Sequence, residues 1–181
     1  MQIKPLKLAG TFAIHSDRAT DERGYFMRTY DRACFAEYGL KTVWQQESLS
    51  FNLAPDTIRG LHFQTPLFAE TKVVRVLQGA ILDVFVDLRK DSVTYGSWDA
   101  ADLSSENGEA VYIPAGFAHG FRTLEPNTLV EYKIDVAYAP ENSGGILWND
   151  KTLDIDWQTE NSIVSQRDDQ LPPFDAFVSP F

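Results

Sequence analysis

A single cysteine, Cys34, stands in the 181-residue chain, so neither an intrachain disulfide nor a thiolate metal cluster can form. No uncharged apolar run approaches the roughly 20 residues that a membrane-spanning helix needs. Lys4 and Lys7 flank the start of an apolar stretch from Leu8 to Ile14, but Gly10 and Thr11 break it and no signal-cleavage pattern follows. Basic residues are scarce: 16 Lys and Arg against 26 Asp and Glu leave a formal net charge of -10. Nucleic acids and anionic membranes attract clustered Lys and Arg, so neither is an expected partner, and the expected compartment is the cytoplasm. Several catalytic signatures are also missing. There is no Gly-rich phosphate loop of the Walker or dinucleotide type, no His-Glu-x-x-His zinc helix, and no Gly-x-Ser-x-Gly nucleophile elbow.

What is present describes a folded β protein. Hydrophobic residues make up 44% of the chain, too many for disorder, and no linker, repeat or low-complexity tract divides residues 1–181, which read as one domain. Strand-like segments recur: Ile3 to Ile14 with a turn near Gly10, Tyr25 to Tyr30, Trp44 to Phe51, Ile58 to Gln64, Thr71 to Leu77, Ala80 to Leu88, Ala110 to Ile113, Gly120 to Leu124 and Thr128 to Val136. Turn signals separate them at Pro55-Asp56, Gln78-Gly79, Asn107-Gly108, Pro114-Ala-Gly116 and Glu125-Pro126-Asn127. Asp31 suits a helix N-cap and Gly39 a C-terminal stop, which predicts one short helix between them. Many short strands with few helical windows predict an antiparallel sandwich or barrel.

One stretch looks like a site. Arg59-Gly60-Leu61-His62-Phe63-Gln64 mixes a guanidinium, a glycine, an imidazole and an amide, with Lys72 soon after. Strict alternation along an extended chain puts Ile58, Gly60, His62 and Gln64 on one side, with Arg59, Leu61 and Phe63 on the other. Imidazole titrates nearest neutrality, so His62 is a natural general base, and a hydrogen-bonded core histidine is the plainer alternative. In the run Ile81 to Leu88, Asp83 falls among apolar neighbours and needs a partner; the Gln78-Gly79 turn predicts Lys72 across a hairpin. Tyr132 shares a strand face with Val130 and Ile134, as a core tyrosine or as a phenol aimed into a cavity. A metal set would have to draw on His62, Gln64, Glu70 and His119, and an amide is a poor ligand for zinc, iron or copper. A glycosidase pair such as Asp83 and Asp168 is also compatible with the residue types, though nothing singles those two out.

Longer stretches narrow the reading. Asp21-Glu-Arg-Gly-Tyr-Phe26, the Arg59 to Gln64 motif, Lys72-Val-Val-Arg-Val76, Asp83 to Arg89, Ile113-Pro-Ala-Gly-Phe-Ala-His-Gly-Phe121, Tyr132-Lys133, Tyr138-Ala-Pro140, Trp148-Asn-Asp150 and Ser165-Gln-Arg-Asp168 agree in order and spacing with one family. The chain resembles the dTDP-4-dehydrorhamnose 3,5-epimerases. The resemblance implies an all-β, cupin-type antiparallel jelly roll with a few short helices. It also implies a homodimer with no metal or other cofactor, acting on a nucleotide-linked 4-keto-6-deoxyhexose at C3, C5 or both. By the same resemblance His62 is the base, Asp168 its partner, Lys72 the cation at the developing oxyanion, and Tyr132 the group across the ring. Arg23 and Arg59 match a pyrophosphate clamp and Phe26 a base-stacking position. Arg28, Gln46, Asp83, His119, Tyr138, Ser143 and Arg167 complete the implied substrate contacts. Three positions depart from the family pattern. Arg28 stands where a Glu is common, Ser48 where Asn is usual, and Asn142-Ser143-Gly144 where a carboxylate is frequent. They leave thymidine as the default base, with cytidine, guanosine and uridine open. The rival readings are a related ketoisomerase or dehydratase, a metal-binding cupin oxygenase or sensor, and a noncatalytic sugar-binding module.

Overall fold

The computed structural model describes residues 1–181. In chain order its strands are β1 (Gln2–Pro5), β2 (Phe12–His15), β3 (Arg18–Asp21), β4 (Gly24–Met27), β5 (Gln46–Asn52), β6 (Thr57–Gln64), β7 (Lys72–Gln78) and β8 (Ala80–Asp87). There follow β9 (Trp98–Ser104), β10 (Glu109–Ile113), β11 (Phe117–Thr123), β12 (Thr128–Ile134), β13 (Ser143–Gly145) and β14 (Ile163–Val164). Helix α1 (Arg32–Glu37) starts where Asp31 accepts from the amides of Ala33 and Cys34; α2 (Gln166–Asp169) starts where Ser165 accepts from the amide of Asp168. No helix is long and apolar enough to cross a membrane.

Two sheets face each other. The first runs β1-β2-β10-β7-β12-β5 and the second β13-β6-β11-β8-β9, with β14 beside β6; β3 and β4 form a separate hairpin. Every ladder is antiparallel except the short β14 pairing. This is the cupin-type jelly roll. Strand β9 has no counterpart among the predicted segments, because Asp99, Ala100, Ala101 and Asp102 have weak strand propensity; it forms through its long register with β8. The predicted hairpin across Gln78-Gly79 is absent. Strands β7 and β8 belong to opposite sheets, so Gly79, at φ +79°, carries the chain from one sheet to the other.

Period-two patterning sorts the core into layers. Val74, Val76, Val111, Ile113 and Val130 of the first sheet meet Ile81, Phe85, Leu103, Phe117 and Phe121 of the second. The outer face of the second sheet, with Leu82, Val84, Val86 and Leu88, is covered by Ile146, Leu153 and Trp157 and by the C-terminal Phe174, Phe177 and Phe181. Phe35 of α1 and Leu40 cover Val73 and Tyr112 on the outer face of the first sheet. The second sheet is therefore buried on two faces, and the first is covered outside over β2, β10 and β7 but left open along β5. This explains why β8 is buried from Ile81 to Asp87 and why it carries apolar residues on both of its faces.

Strict alternation fails in β6, and the failure builds the site. His62 pairs with His119 and Arg59 with Phe121, so two residues, Gly60 and Leu61, oppose the single Gly120. The bulge turns Arg59 onto the same inner face as His62, and sends Ile58 outward with Leu61 and Phe63. Only glycine fits there. A Cβ on Gly60, at φ +134°, would lie 2.6 Å from the Gly120 Cα, and one on Gly120 would lie 2.8 Å from the Arg59 carbonyl oxygen.

Candidate active site

The space between the sheets opens at one end into a cavity of about 380 Å³. The second sheet supplies Arg59, His62, Gln64, His119 and Ser143, the first supplies Ser48, Lys72, Tyr132 and Ile134, and the segment around α2 adds Ser165, Arg167 and Asp168. Glu70 and Tyr138 reach it from the loops beside β7 and β12. His62 and Tyr132 thus project into one space from opposing sheets.

His62 is held by a carboxylate. Its Nε2 lies 2.7 Å from Asp168 Oδ1, and the other oxygen, Oδ2, accepts from the Gly60 amide at 3.3 Å. Asp168 is itself fixed by its place at the start of α2, where its amide donates to Ser165 Oγ. Burial pushes the Asp168 carboxyl up, but the hydrogen bond and charge of His62 and the Gly60 amide outweigh it, and the group sits below the ordinary carboxylate range. An ionised partner at Nε2 fixes the tautomer and favours imidazolium once the ring takes a proton.

Tyr132 faces a different environment. Burial, with the Asp83 charge behind it, pushes its phenol well up, against smaller opposing effects of Arg59 and the Ser50 hydroxyl. The phenol therefore keeps its proton across the neutral range and can donate it. The His119 ring meets the Tyr132 ring edge-on, with centroids 6.1 Å apart. Behind it, His119 Nε2 lies 2.7 Å from Oδ1 of Asp83, a residue with no exposed surface.

Lys72 does not pair with Asp83. Because β7 and β8 lie in opposite sheets, the expected cross-hairpin contact has no geometry to form in, and Asp83 takes His119 instead. The ammonium of Lys72 lies 2.8 Å from Glu70 Oε1. The sequence offers Glu70 as a member of a metal set, but its spacing also fits this pairing: two residues apart where β7 begins, Glu70 and Lys72 share a face. The metal set itself does not assemble, since no group of three His, Cys, Asp or Glu side chains converges as ligands would. The Gln64 amide is committed elsewhere, donating to the Phe68 and Ala137 carbonyls and to Glu70, and accepting from the Ala139 amide.

The remaining residues divide. Arg59 lines the cavity, with its Nε bound to Asn52 Oδ1 at 2.7 Å, and His119, Tyr138, Ser143 and Arg167 line it too. Asp83 stands behind His119 rather than at the wall. Gln46 is turned away from the cavity wall, donating to the Val136 carbonyl. Arg23, Phe26 and Arg28 are elsewhere in this chain: Arg23 is ion-paired with Asp21 on the β3-β4 hairpin, Phe26 is 70% exposed, and Arg28 is paired with Asp31. Ser48 and Ser165, absent from the substrate contacts that the resemblance implies, line the cavity.

A carbon next to a carbonyl can be inverted by a base on one side, a proton donor on the other and a cation near the oxygen, and this cavity is lined by an imidazole, a phenol and an ammonium group. Fold and cavity together define a class, the cupin-type isomerases. The comparisons make it particular. Residues 5–176 match the family model described as dTDP-4-dehydrorhamnose 3,5-epimerase, and the chain belongs to that family. It is 44% identical to the dTDP-4-dehydrorhamnose 3,5-epimerase of Methanothermobacter thermautotrophicus over 92% of this chain and 90% of that one. A dTDP-4-dehydrorhamnose 3-epimerase of Streptomyces niveus is 34% identical over 93% of this chain and 81% of its own length. The fold superposes with a TM-score of 0.93 on the dTDP-6-deoxy-D-glucose-3,5-epimerase of Legionella pneumophila, solved in complex with dTDP-4-keto-L-rhamnose. That pair is 32% identical, and the match covers 98% of this chain and 94% of the other.

Proposed function

We propose that this chain epimerises a nucleotide-linked 4-keto-6-deoxyhexose beside its keto group, with residues 1–181 acting as one cytoplasmic unit. The proton on the carbon next to the carbonyl goes to His62, whose conjugate acid Asp168 stabilises. The electron pair left behind moves onto the carbonyl oxygen as an enolate, which the Lys72 ammonium faces. Tyr132 then gives its phenolic proton to the same carbon from the other side, and the carbonyl re-forms. Exchange with solvent then takes the proton from His62 and returns one to the Tyr132 phenolate, so the net change is one inverted centre, and a second passage at the other neighbouring carbon inverts that one as well. The observation that carries this reading is that His62 and Tyr132 enter one cavity from opposing sheets.

Arg59 and Arg167 suit the diphosphate, since guanidinium groups offer forked donors to phosphate oxygens, and His119, Ser143 and Tyr138 suit the sugar and the linkage to it. Thymidine is the base favoured by the substrates that relatives are named for; cytidine, guanosine and uridine are the alternatives that Arg28, Ser48 and Ser143 leave in play. Arg23, Phe26 and Arg28 reach a nucleotide only if a second copy of the chain brings them, so the working form is a homodimer. Exposed Tyr25 and Phe26 on the hairpin, and exposed Leu49 and Phe51 on β5 at the edge of the first sheet, support it.

The test is incubation with dTDP-4-keto-6-deoxyglucose in deuterated buffer, followed by NMR of the product. Deuterium at C3 or C5 with inversion is expected; isomerised ketone, or exchange with full retention, would overturn the reading.

A further inference from the structure

We propose that Glu70 is a positioning residue of the reaction, acting through Lys72. The inference rests on the epimerase reading and deepens it. The cavity holds one ammonium group, and the oxygen it must meet belongs to a bound sugar whose position is set by other contacts. A lysine side chain has four rotatable bonds, so its charge is useful only where something fixes it. Glu70 Oε1 lies 2.8 Å from Lys72 Nζ, both side chains are 10% exposed, and both line the cavity. The other carboxylate oxygen, Oε2, accepts from Gln64 Nε2 at 3.2 Å.

Gln64 extends the hold. Its Oε1 accepts from the Ala139 amide at 2.7 Å and its Nε2 also donates to the Ala137 carbonyl at 3.3 Å, so it grips the chain on both sides of Tyr138 at the cavity mouth. The path runs from Lys72 through Glu70 and Gln64 to the backbone beside Tyr138, with a polar partner at each step. Glu70 therefore fixes the direction of the ammonium, while Gln64 ties Glu70 to β6, the strand that carries His62. Base and cation are set against each other through side chains that touch no reacting atom. Residues that orient metal ligands are worth about 10- to 100-fold when removed, and the same scale is expected for one that orients an ammonium group.

The test compares Glu70→Ala, Glu70→Gln, Lys72→Met and the double variant Glu70→Ala/Lys72→Met. Glu70→Ala is expected to lower kcat by about 10- to 100-fold with little change in KM, and Glu70→Gln, which keeps one acceptor, to recover part of it. In the Lys72→Met background, Glu70→Ala is expected to cost little more. An equal loss in both backgrounds, or a Glu70→Ala enzyme at the native rate, would overturn the inference while leaving the epimerase reading in place. A readout independent of turnover is the side-chain ammonium NMR signal of Lys72, assigned by its disappearance in Lys72→Met. It is expected in the native protein, where the carboxylate slows its exchange, and lost in Glu70→Ala; its persistence there would contradict the inference even if the chain had no epimerase activity.

Discussion

His62 Nε2 and Asp168 Oδ1 are 2.7 Å apart although 106 residues separate them in the chain. The contact depends on β14 running beside β6, which brings Ser165 and the first turn of α2 under the bulge at Gly60. An ionised carboxylate there has two effects, one on the tautomer of the ring and one on the charge the ring acquires. Asp168→Asn leaves the shape and removes the charge, so kcat is expected to fall by about 10² to 10⁴, as for other histidine bases that lose their carboxylate. Steady-state kinetics on the purified variant checks it.

The same carboxylate carries a pH signature. Its folded-state titration lies below the ordinary value, so its contribution to stability is fully present above about pH 4, the range of a free aspartate. That contribution is lost as pH falls through the depressed folded value. Thermal melts of native protein and Asp168→Asn are expected to converge as the buffer is taken from pH 6 to below pH 4; a constant difference would mean the carboxylate is not held ionised by its partners.

Asp87 offers a second case, away from the site. It is buried, and accepts from the Arg89 amide and guanidinium, Ser92 Oγ and Thr94 Oγ1. Burial pushes it up, yet these donors lower it to about 2. Asp87→Ala leaves part-buried donors on Arg89, Ser92 and Thr94 without their acceptor and is expected to cost about 1 to 3 kcal/mol in denaturant unfolding, with the loop from Leu88 to Ser97 becoming open to proteases. Cavity residues are untouched, so the kcat of the folded fraction stays near native.

Gly60→Ala tests the bulge. The added methyl meets the Gly120 backbone at 2.6 Å on a backbone of φ +134°, so β6 must move or re-register. Roughly 1 to 3 kcal/mol of stability is expected to be lost. A larger effect falls on activity, because a slip of one residue sends Arg59 or His62 to the outer face. Circular dichroism melts and kinetics separate the two losses.

The proposed homodimer is tested by mixing two variants that are each expected to be impaired. Arg23→Ala is expected to damage the nucleotide contact that a copy lends to its neighbour, and His62→Asn the chemistry of its own cavity. Mixed and re-equilibrated, they are expected to regain part of native activity, because one of the two cavities in a mixed pair is intact. No recovery, or a monomer by light scattering, would contradict the exchange of the β3-β4 hairpin.

Much of this was legible in the residues. Alternation in Ile81 to Leu88 places Asp83 among apolar groups on the inner face, and the Asp31 and Gly39 signals bracket α1. The partner of Asp83 was not legible, because a tight Gln78-Gly79 turn reads the same whether it closes a hairpin or passes between sheets. Nor was the inward turn of Arg59. It follows from one extra residue opposite Gly120, a fact of register between strands far apart in the chain rather than of local pattern. The position of Arg23 and Phe26 outside the cavity was not legible either, since motif order does not fix where a hairpin separate from the two main sheets lies.

In the proposed reaction one side chain takes the proton and another returns it on the opposite face. The direct measurement is deuterium uptake from solvent into dTDP-4-keto-6-deoxyglucose, with product stereochemistry, in the native protein, His62→Asn and Tyr132→Phe. Native protein is expected to exchange and invert, His62→Asn to do neither, and Tyr132→Phe to exchange while forming little inverted product. Exchange at the native rate in His62→Asn, or full inversion in Tyr132→Phe, would rule out these two roles.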